Sequence, residues 1–226
     1  MARATHIFTV FVCLQLSSAC YRAPVGSVVT KVTSGAPLID LRAEDFADGR
    51  IVRIPTRWEF YWGRFLLPED FRGALKPARD AGYAGMRPWT ASSVSGQTFP
   101  GQGFATYRML LRLPPDARYG FRIQQQLMAY RLYVDGELLI EAGRVGRSHA
   151  ETLPERRQRN FYIAAGSDAK PIELLLHVSN HHMFRGGLRG VLVVGEAAAL
   201  DLYAHRIVAL DLALILFLAA VALYPL

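Results

Sequence analysis

The chain has 226 residues, 51% of them hydrophobic, and a formal net charge of +7. That content is enough for one sizeable core plus targeting segments and excludes a chain disordered by composition. Its two cysteines, Cys13 and Cys20, both lie in the first twenty residues. A cysteine nucleophile and a cysteine-based metal site are therefore excluded from any domain that folds after them.

Residues 1–20 carry Arg3, an apolar run from Ile7 to Leu16 and the small residues Ser17, Ser18 and Ala19. The run is too short to span a bilayer, and the order is that of a secretory signal peptide, with an uncleaved signal anchor as the alternative. Ser-Ser-Ala-Cys also resembles a relaxed lipobox, which makes Cys20 a candidate for lipidation, although Ser17 stands where a strict lipobox has leucine. Residues 21–37 are small, polar and contain proline and glycine, and read as a linker. The folded domain is expected over 38–199.

Ile54-Pro-Thr-Arg-Trp-Glu-Phe-Tyr-Trp-Gly63 concentrates aromatic side chains before Leu66-Leu-Pro68. Such residues fill cores and also make stacking platforms for sugars, so Trp62 is both a core candidate and a ligand-binding candidate. Phe104 to Leu113 alternates with period two and ends at Pro114-Pro115-Asp116. Tyr119, Phe121 and Ile123 share one strand face. Tyr130 to Val134, Asp135-Gly136 and Glu137 to Ile140 make a hairpin, because a type I′ turn needs positive φ at both central positions. Ile172 to Val178 and Gly190 to Gly195 are two further strands, and Phe161 to Ala164 is another candidate. This spacing predicts an all-β protein, an antiparallel β-sandwich, and lacks the βαβ alternation of a doubly wound fold.

From Leu200 to Arg206 the chain turns helical, a joint leading into Ile207 to Leu226. That run is about the length a tilted helix needs to cross a ~30 Å hydrocarbon core. Asp211 is its only charge, and Tyr203, His205 and Arg206 precede it as interfacial anchors would. No basic flank follows before Leu226. The segment therefore reads as the first span of a longer protein, with a tail anchor as the alternative.

The order of several motifs resembles a known domain. Trp58-Glu-Phe-Tyr-Trp-Gly63, Leu66-Leu-Pro68, Asp70-Phe71 and Pro88-Trp89 come first. Gly103-Phe-Ala-Thr-Tyr-Arg108, Ala129-Tyr-Arg-Leu-Tyr-Val-Asp-Gly136, Gly143-Arg-Val-Gly146, Val178-Ser-Asn180 and Arg185-Gly-Gly-Leu188 follow. The chain is similar over 38–226 to the periplasmic sensor domain of bacterial seven-transmembrane receptors with diverse intracellular signalling modules. The resemblance implies a jelly roll of the galactose-binding-like kind and a first membrane helix directly after it. It also implies a cytoplasmic kinase or cyclase output, which this chain does not contain. The Tyr-Arg strand and Asp-Gly hairpin are similar, too, to the sugar-binding domain of family-two glycoside hydrolases. A small polar ligand, carbohydrate-like, is the expectation that follows.

Candidate site residues come from strand ends and wet strand faces. Asn180, His181, His182 and Arg185 gather after the 172–178 strand, where loops carry binding groups on a rigid scaffold. Asn and Arg can hold hydroxyls or a carboxylate. A zinc reading of the histidines lacks a third ligand at suitable spacing, and ordinary exposure or turn stabilisation is the alternative. Arg108 and Arg131 sit beside Tyr107 and Tyr130, either as ligand groups or as structural arginines stacked on Tyr or paired with Glu. Arg144, Arg147, Arg156, Arg157 and Arg159 form a solvated loop, or a contact for anionic lipid or an anionic ligand.

No nucleophile elbow, P-loop, dinucleotide fingerprint or spaced carboxylate pair is present, so no catalytic residue and no cofactor are expected. The expected partners are a small-molecule ligand, the membrane, a second copy of the chain and a kinase or cyclase output. The export signal argues against nucleic acid despite the positive charge, and no nucleic-acid motif supports it. The reading is an extracytoplasmic sensor on the periplasmic side of the inner membrane. Its rivals are a membrane-tethered carbohydrate-binding or adhesion module without signalling, and an accessory domain of a carbohydrate-active enzyme.

Overall fold

The computed structural model describes residues 28–30, 38–54, 58–84, 88–91, 93–94, 97–123, 126–156, 158–188 and 192–223. The signal segment, Cys20 and the expected linker other than 28–30 lie outside these residues.

Two sheets face each other. The larger has seven strands: β2 (Leu38–Asp40), β4 (Trp58–Trp62), β5 (Ala81–Ala84), β8 (Gly103–Arg112), β10 (Ala129–Val134), β11 (Glu137–Ala142) and β13 (Ile172–Asn180). The smaller has β1 (Val28–Thr30), β3 (Ile51–Ile54), β9 (Arg118–Ile123), β12 (Arg159–Ala164) and β14 (Leu192–Glu196). A short β6 (Ser93–Val94) and β7 (Gln97–Thr98) pair separately. One turn of helix, α1 (Ala43–Phe46), brings Phe46 against Tyr119, ring centres 4.9 Å apart.

The period-two pattern builds the core. In β8, Ala105, Tyr107, Met109 and Leu111 point between the sheets, and in β13 Ile172, Leu174, Leu176 and Val178 do the same. These two strands pair along their whole length, from Ile172 opposite Leu111 to Asn180 opposite Gly103. The other edge of β8 is shared: β4 pairs with 105–108 and β2 with 110–112. Facing them, Tyr119, Phe121, Ile123, Val52, Ile54 and Val194 close the core from the smaller sheet. Each such aliphatic or Phe side chain contributes about 1.5–3 kcal/mol on burial.

The expected hairpin forms as a two-residue loop, with Val134 opposite Glu137. Asp135 and Gly136 adopt φ of 48° and 96°, the positive values the turn demands and Gly136 adopts freely. The all-β sandwich is as expected, with two differences. β1 and β2 pair in parallel with β3 and β8. β1 also lies inside the 21–37 segment, because Val28-Val29-Thr30 is a β-branched triplet suited to an edge strand.

The chain ends in α2 (Ala197–Ala222), 26 residues long and about 39 Å. It starts three residues before the expected joint, because Ala197-Ala198-Ala199 has the highest helix propensity. The joint and the apolar run are thus one continuous helix. α2 is long and apolar enough to cross a membrane. Arg206 and Ile207 are half-buried, and every residue from Val208 to Leu223 is exposed, Asp211 among them.

Candidate functional site

Strand register defines two ends of the sandwich. At one, Asn180 faces Gly103 and Arg159 faces Ile123. At the other, Glu196 faces Tyr119 and α2 begins. The polar cluster seen in the sequence sits at the first end, built from the loops at 99–103, 143–156 and 181–188.

Asn180 holds this end together. It is buried, and its Nδ2 donates to Gly101 O and Met183 O, both at 2.8 Å. Its Oδ1 accepts from Met183 N at 3.1 Å. Both amide N–H groups are therefore spent on positioning the 181–185 loop, which leaves the side chain a structural role.

The histidines clamp that loop to the 143–156 loop. The His182 ring bonds through Nε2 to Thr152 O at 3.0 Å, and its centre lies 4.1 Å from that of His149. His181 bonds to the Gly146 backbone, and burial lowers its pKa. Ser179 Oγ accepts from Gly146 N at 3.2 Å. The arginine-rich loop is tied to its own acceptors: Arg144 Nε donates to Glu151 O (2.8 Å) and Arg159 pairs with Glu155 (3.2 Å). Among the described residues no group of three His, Cys, Asp or Glu side chains is placed to hold a metal.

What this end presents to solvent is Phe184, 75% exposed, with the Arg185 guanidinium 5.3 Å from its ring centre. An aromatic face beside a planar fork of donors can stack on an apolar ring face and bond hydroxyls or a carboxylate. Phe184 was not singled out from the sequence. The available signal was an aromatic residue between Met183 and Arg185 in a glycine-bearing loop.

The remaining candidates lie elsewhere. Arg108 is on the outer face of the larger sheet, with Nη1 2.8 Å from Glu59 and Nε 2.5 Å from Glu173. Phe71 covers it, 4.5 Å from the guanidinium. Burial alone would lower the Arg108 pKa, but the two carboxylates outweigh it and raise it. Arg131, on the same face, bonds Glu141 at 2.6 Å. Trp62 points into the core against Trp89 and Phe99, ring centres 4.9 and 5.2 Å away. The six candidates thus divide into a loop end (Asn180, His181, Arg185), a paired outer face (Arg108, Arg131) and the core (Trp62).

A strap of residues 63–72 crosses that outer face. Leu66 N donates to Thr106 Oγ1 (3.0 Å), and Thr106 Oγ1 donates to Arg64 O (2.7 Å). His177 Nε2 lies 2.6 Å from Leu66 O. A carbonyl only accepts, so Nε2 carries the proton. Burial lowers the His177 pKa. At the far end of the sandwich, a shallow cavity of about 210 Å³ is lined by Leu113, Ile163 and Ile172, with Asp168 and Lys170 at its rim.

No family model and no curated protein matches the chain. Among solved structures it is similar to glycoside hydrolase family 2 chains. A calcium-binding mutant of Bacteroides uniformis beta-glucuronidase 2 shares 16% identity at a TM-score of 0.44, over 64% of this chain and 18% of that one. A family 2 member from Bacteroides cellulosilyticus shares 12% at 0.45, over 65% and 20%. The Faecalibacterium prausnitzii beta-glucuronidase shares 10% at 0.42, over 65% and 31%. The chain spans less than a third of each of these proteins.

Proposed function

We propose that this chain is the ligand-sensing part of a membrane receptor, its sandwich outside the cytoplasm and α2 serving as both anchor and output lever. The observation that carries the reading is the continuity of α2. Its first turn is packed on the sandwich through Leu200, with Ile51 and Val193, while its later turns are apolar and bare. A change in the sandwich therefore has a rigid path into the membrane. The loop end with Phe184 and Arg185 lies at the opposite end from the start of α2, as a sensor requires. The ligand class is a small polar molecule with an apolar ring face, carbohydrate-like. Coupling follows if the ligand binds the docked and undocked arrangements of α2 with different affinity.

The test uses the full chain in lipid nanodiscs, titrated calorimetrically with neutral sugars and sugar acids, with hydrogen exchange read over 195–206. Saturable binding is expected, weakened about tenfold in Arg185→Ala, with a changed exchange rate in α2 and no product formed. Binding unaffected by both Phe184→Ala and Arg185→Ala removes the site. Binding that leaves α2 unchanged favours a tether without signalling. Turnover of a glycoside overturns the non-enzymatic reading.

A further inference from the structure

Outward arginines on the smaller sheet differ from those on the larger. Burial of Val52, Ile54, Tyr119, Phe121 and Ile123 in the core turns Arg53, Arg118 and Arg122 to the outside. None of the three forms an ion pair with a described residue. Arg122 Nη1 donates to Asn160 Oδ1 at a long 3.4 Å, and the Arg118 guanidinium lies 4.9 Å from the Tyr162 ring centre. The nearby carboxylates are engaged elsewhere or peripheral. Asp201 accepts from the Tyr162 hydroxyl, Glu196 closes the strand end, and Asp48 faces Arg50.

Arg53 and Arg122 share one row across the sheet, because Val193 is the partner of both. Two strand spacings separate them, about 10 Å. The same face receives α2. Leu200 fills the space beside Gly120, where an added Cβ would lie 2.7 Å from Leu200 Cδ2. Ile207, where the bare apolar stretch opens, is seven residues or about 10 Å along the helix. Three unpaired guanidinium groups thus flank the point from which the chain leaves for the bilayer.

We infer that this face docks on anionic lipid headgroups, with Arg53, Arg118 and Arg122 donating to their phosphate oxygens. Guanidinium forks match phosphate geometry, and a basic cluster beside a span is attracted to a negatively charged leaflet. The inference rests on α2 crossing the bilayer, as proposed above.

The test places the full chain in nanodiscs of phosphatidylcholine alone, or with about 30% phosphatidylglycerol. Each arginine is then modified with phenylglyoxal and followed by mass spectrometry. Arg53 and Arg122 are expected to react about fivefold more slowly on the anionic discs. The slowing disappears in about 0.5 M salt, and Arg64 and Arg131 on the other face keep one rate throughout. Equal rates of Arg53 and Arg122 on the two lipids overturn the inference, as does slowing that survives salt or extends to Arg131. Alkaline carbonate extraction separates the two levels: a chain that is stripped from the membrane refutes the span itself, whereas a retained chain with equal rates refutes the docking alone.

Discussion

The strap of residues 63–72 and the first turns of α2 each cover one outer face of the sandwich, by different means. The strap is held by polar groups taken out of water: the Leu66 carbonyl on His177, Thr106 bonded on both sides, and Phe71 over an arginine between two carboxylates. Such groups are costly to leave unpaired, so each bond enforces the next. α2 sits instead on a small apolar patch of Ile51, Val193 and Leu200, with one hydrogen bond from Tyr162 to Asp201. A patch of that size is a weaker attachment and leaves the surrounding arginines free. The strap belongs to the fold, whereas the helix dock can shift without unfolding the sandwich. That is the property a lever needs.

Breaking the strap face has the largest expected effect. Arg108→Ala leaves Glu59 and Glu173 partly buried without their partner, which costs about 3–5 kcal/mol. Urea unfolding of the full chain in detergent measures it, and a loss below 1 kcal/mol would show that the carboxylates find water easily. Breaking the dock is smaller and local. Leu200→Ala removes the side chain that fills the Gly120 gap, at about 2–4 kcal/mol. Hydrogen exchange should accelerate over 197–206 and stay unchanged in β8 and β13. Acceleration throughout the sandwich would mean that the helix is part of the core after all.

The strap also predicts a pH dependence. Burial holds the His177 pKa below its ordinary value near 6.5, and the bond to Leu66 suits the neutral ring. Unfolding frees the ring to take a proton, so this contribution is complete above about pH 6.5. It is lost as the pH falls from there through the lower folded value. Thermal stability should therefore drop on acidification, and His177→Gln should flatten the slope. It does not abolish it, because His181 is shifted in the same direction. A slope identical in the variant would assign the acid loss to other groups.

Much of this architecture was legible in the chain. The alternation of Phe104 to Leu113 and the Asp135-Gly136 pair are local signals, and local backbone geometry obeys them. The apolar run after Arg206 announced a helix by length alone. Partners were not legible. Arg108 meets Glu59 and Glu173 across 49 and 65 residues of chain, so its alternatives stood equal until the strands were aligned. Asn180 was correctly placed at a strand end but is consumed by Gly101 and Met183, which only the closed loop brings within reach. Trp62 could have faced either way, and the register of β4 against β8 turned it inward. β1 was hidden because three residues between glycine-bearing stretches carry no measurable period.

The smallest expected effect is the sharpest comparison. Arg53→Gln with Arg122→Gln changes the same kind of residue as Arg108→Ala, also on a strand and also facing outward. Here no carboxylate is left behind, and only the 3.4 Å contact from Arg122 to Asn160 is lost. Surface substitutions of this kind stay within about 0.5 kcal/mol. Removing two mutually repelling charges in one row offsets part of even that. The double variant should therefore unfold at the wild-type temperature in detergent, while Arg108→Ala does not. If the double variant instead lost about 2 kcal/mol or more, the arginines of the smaller sheet would have partners within the protein. The two faces would then follow one logic, and a bilayer would no longer be needed to account for the charge.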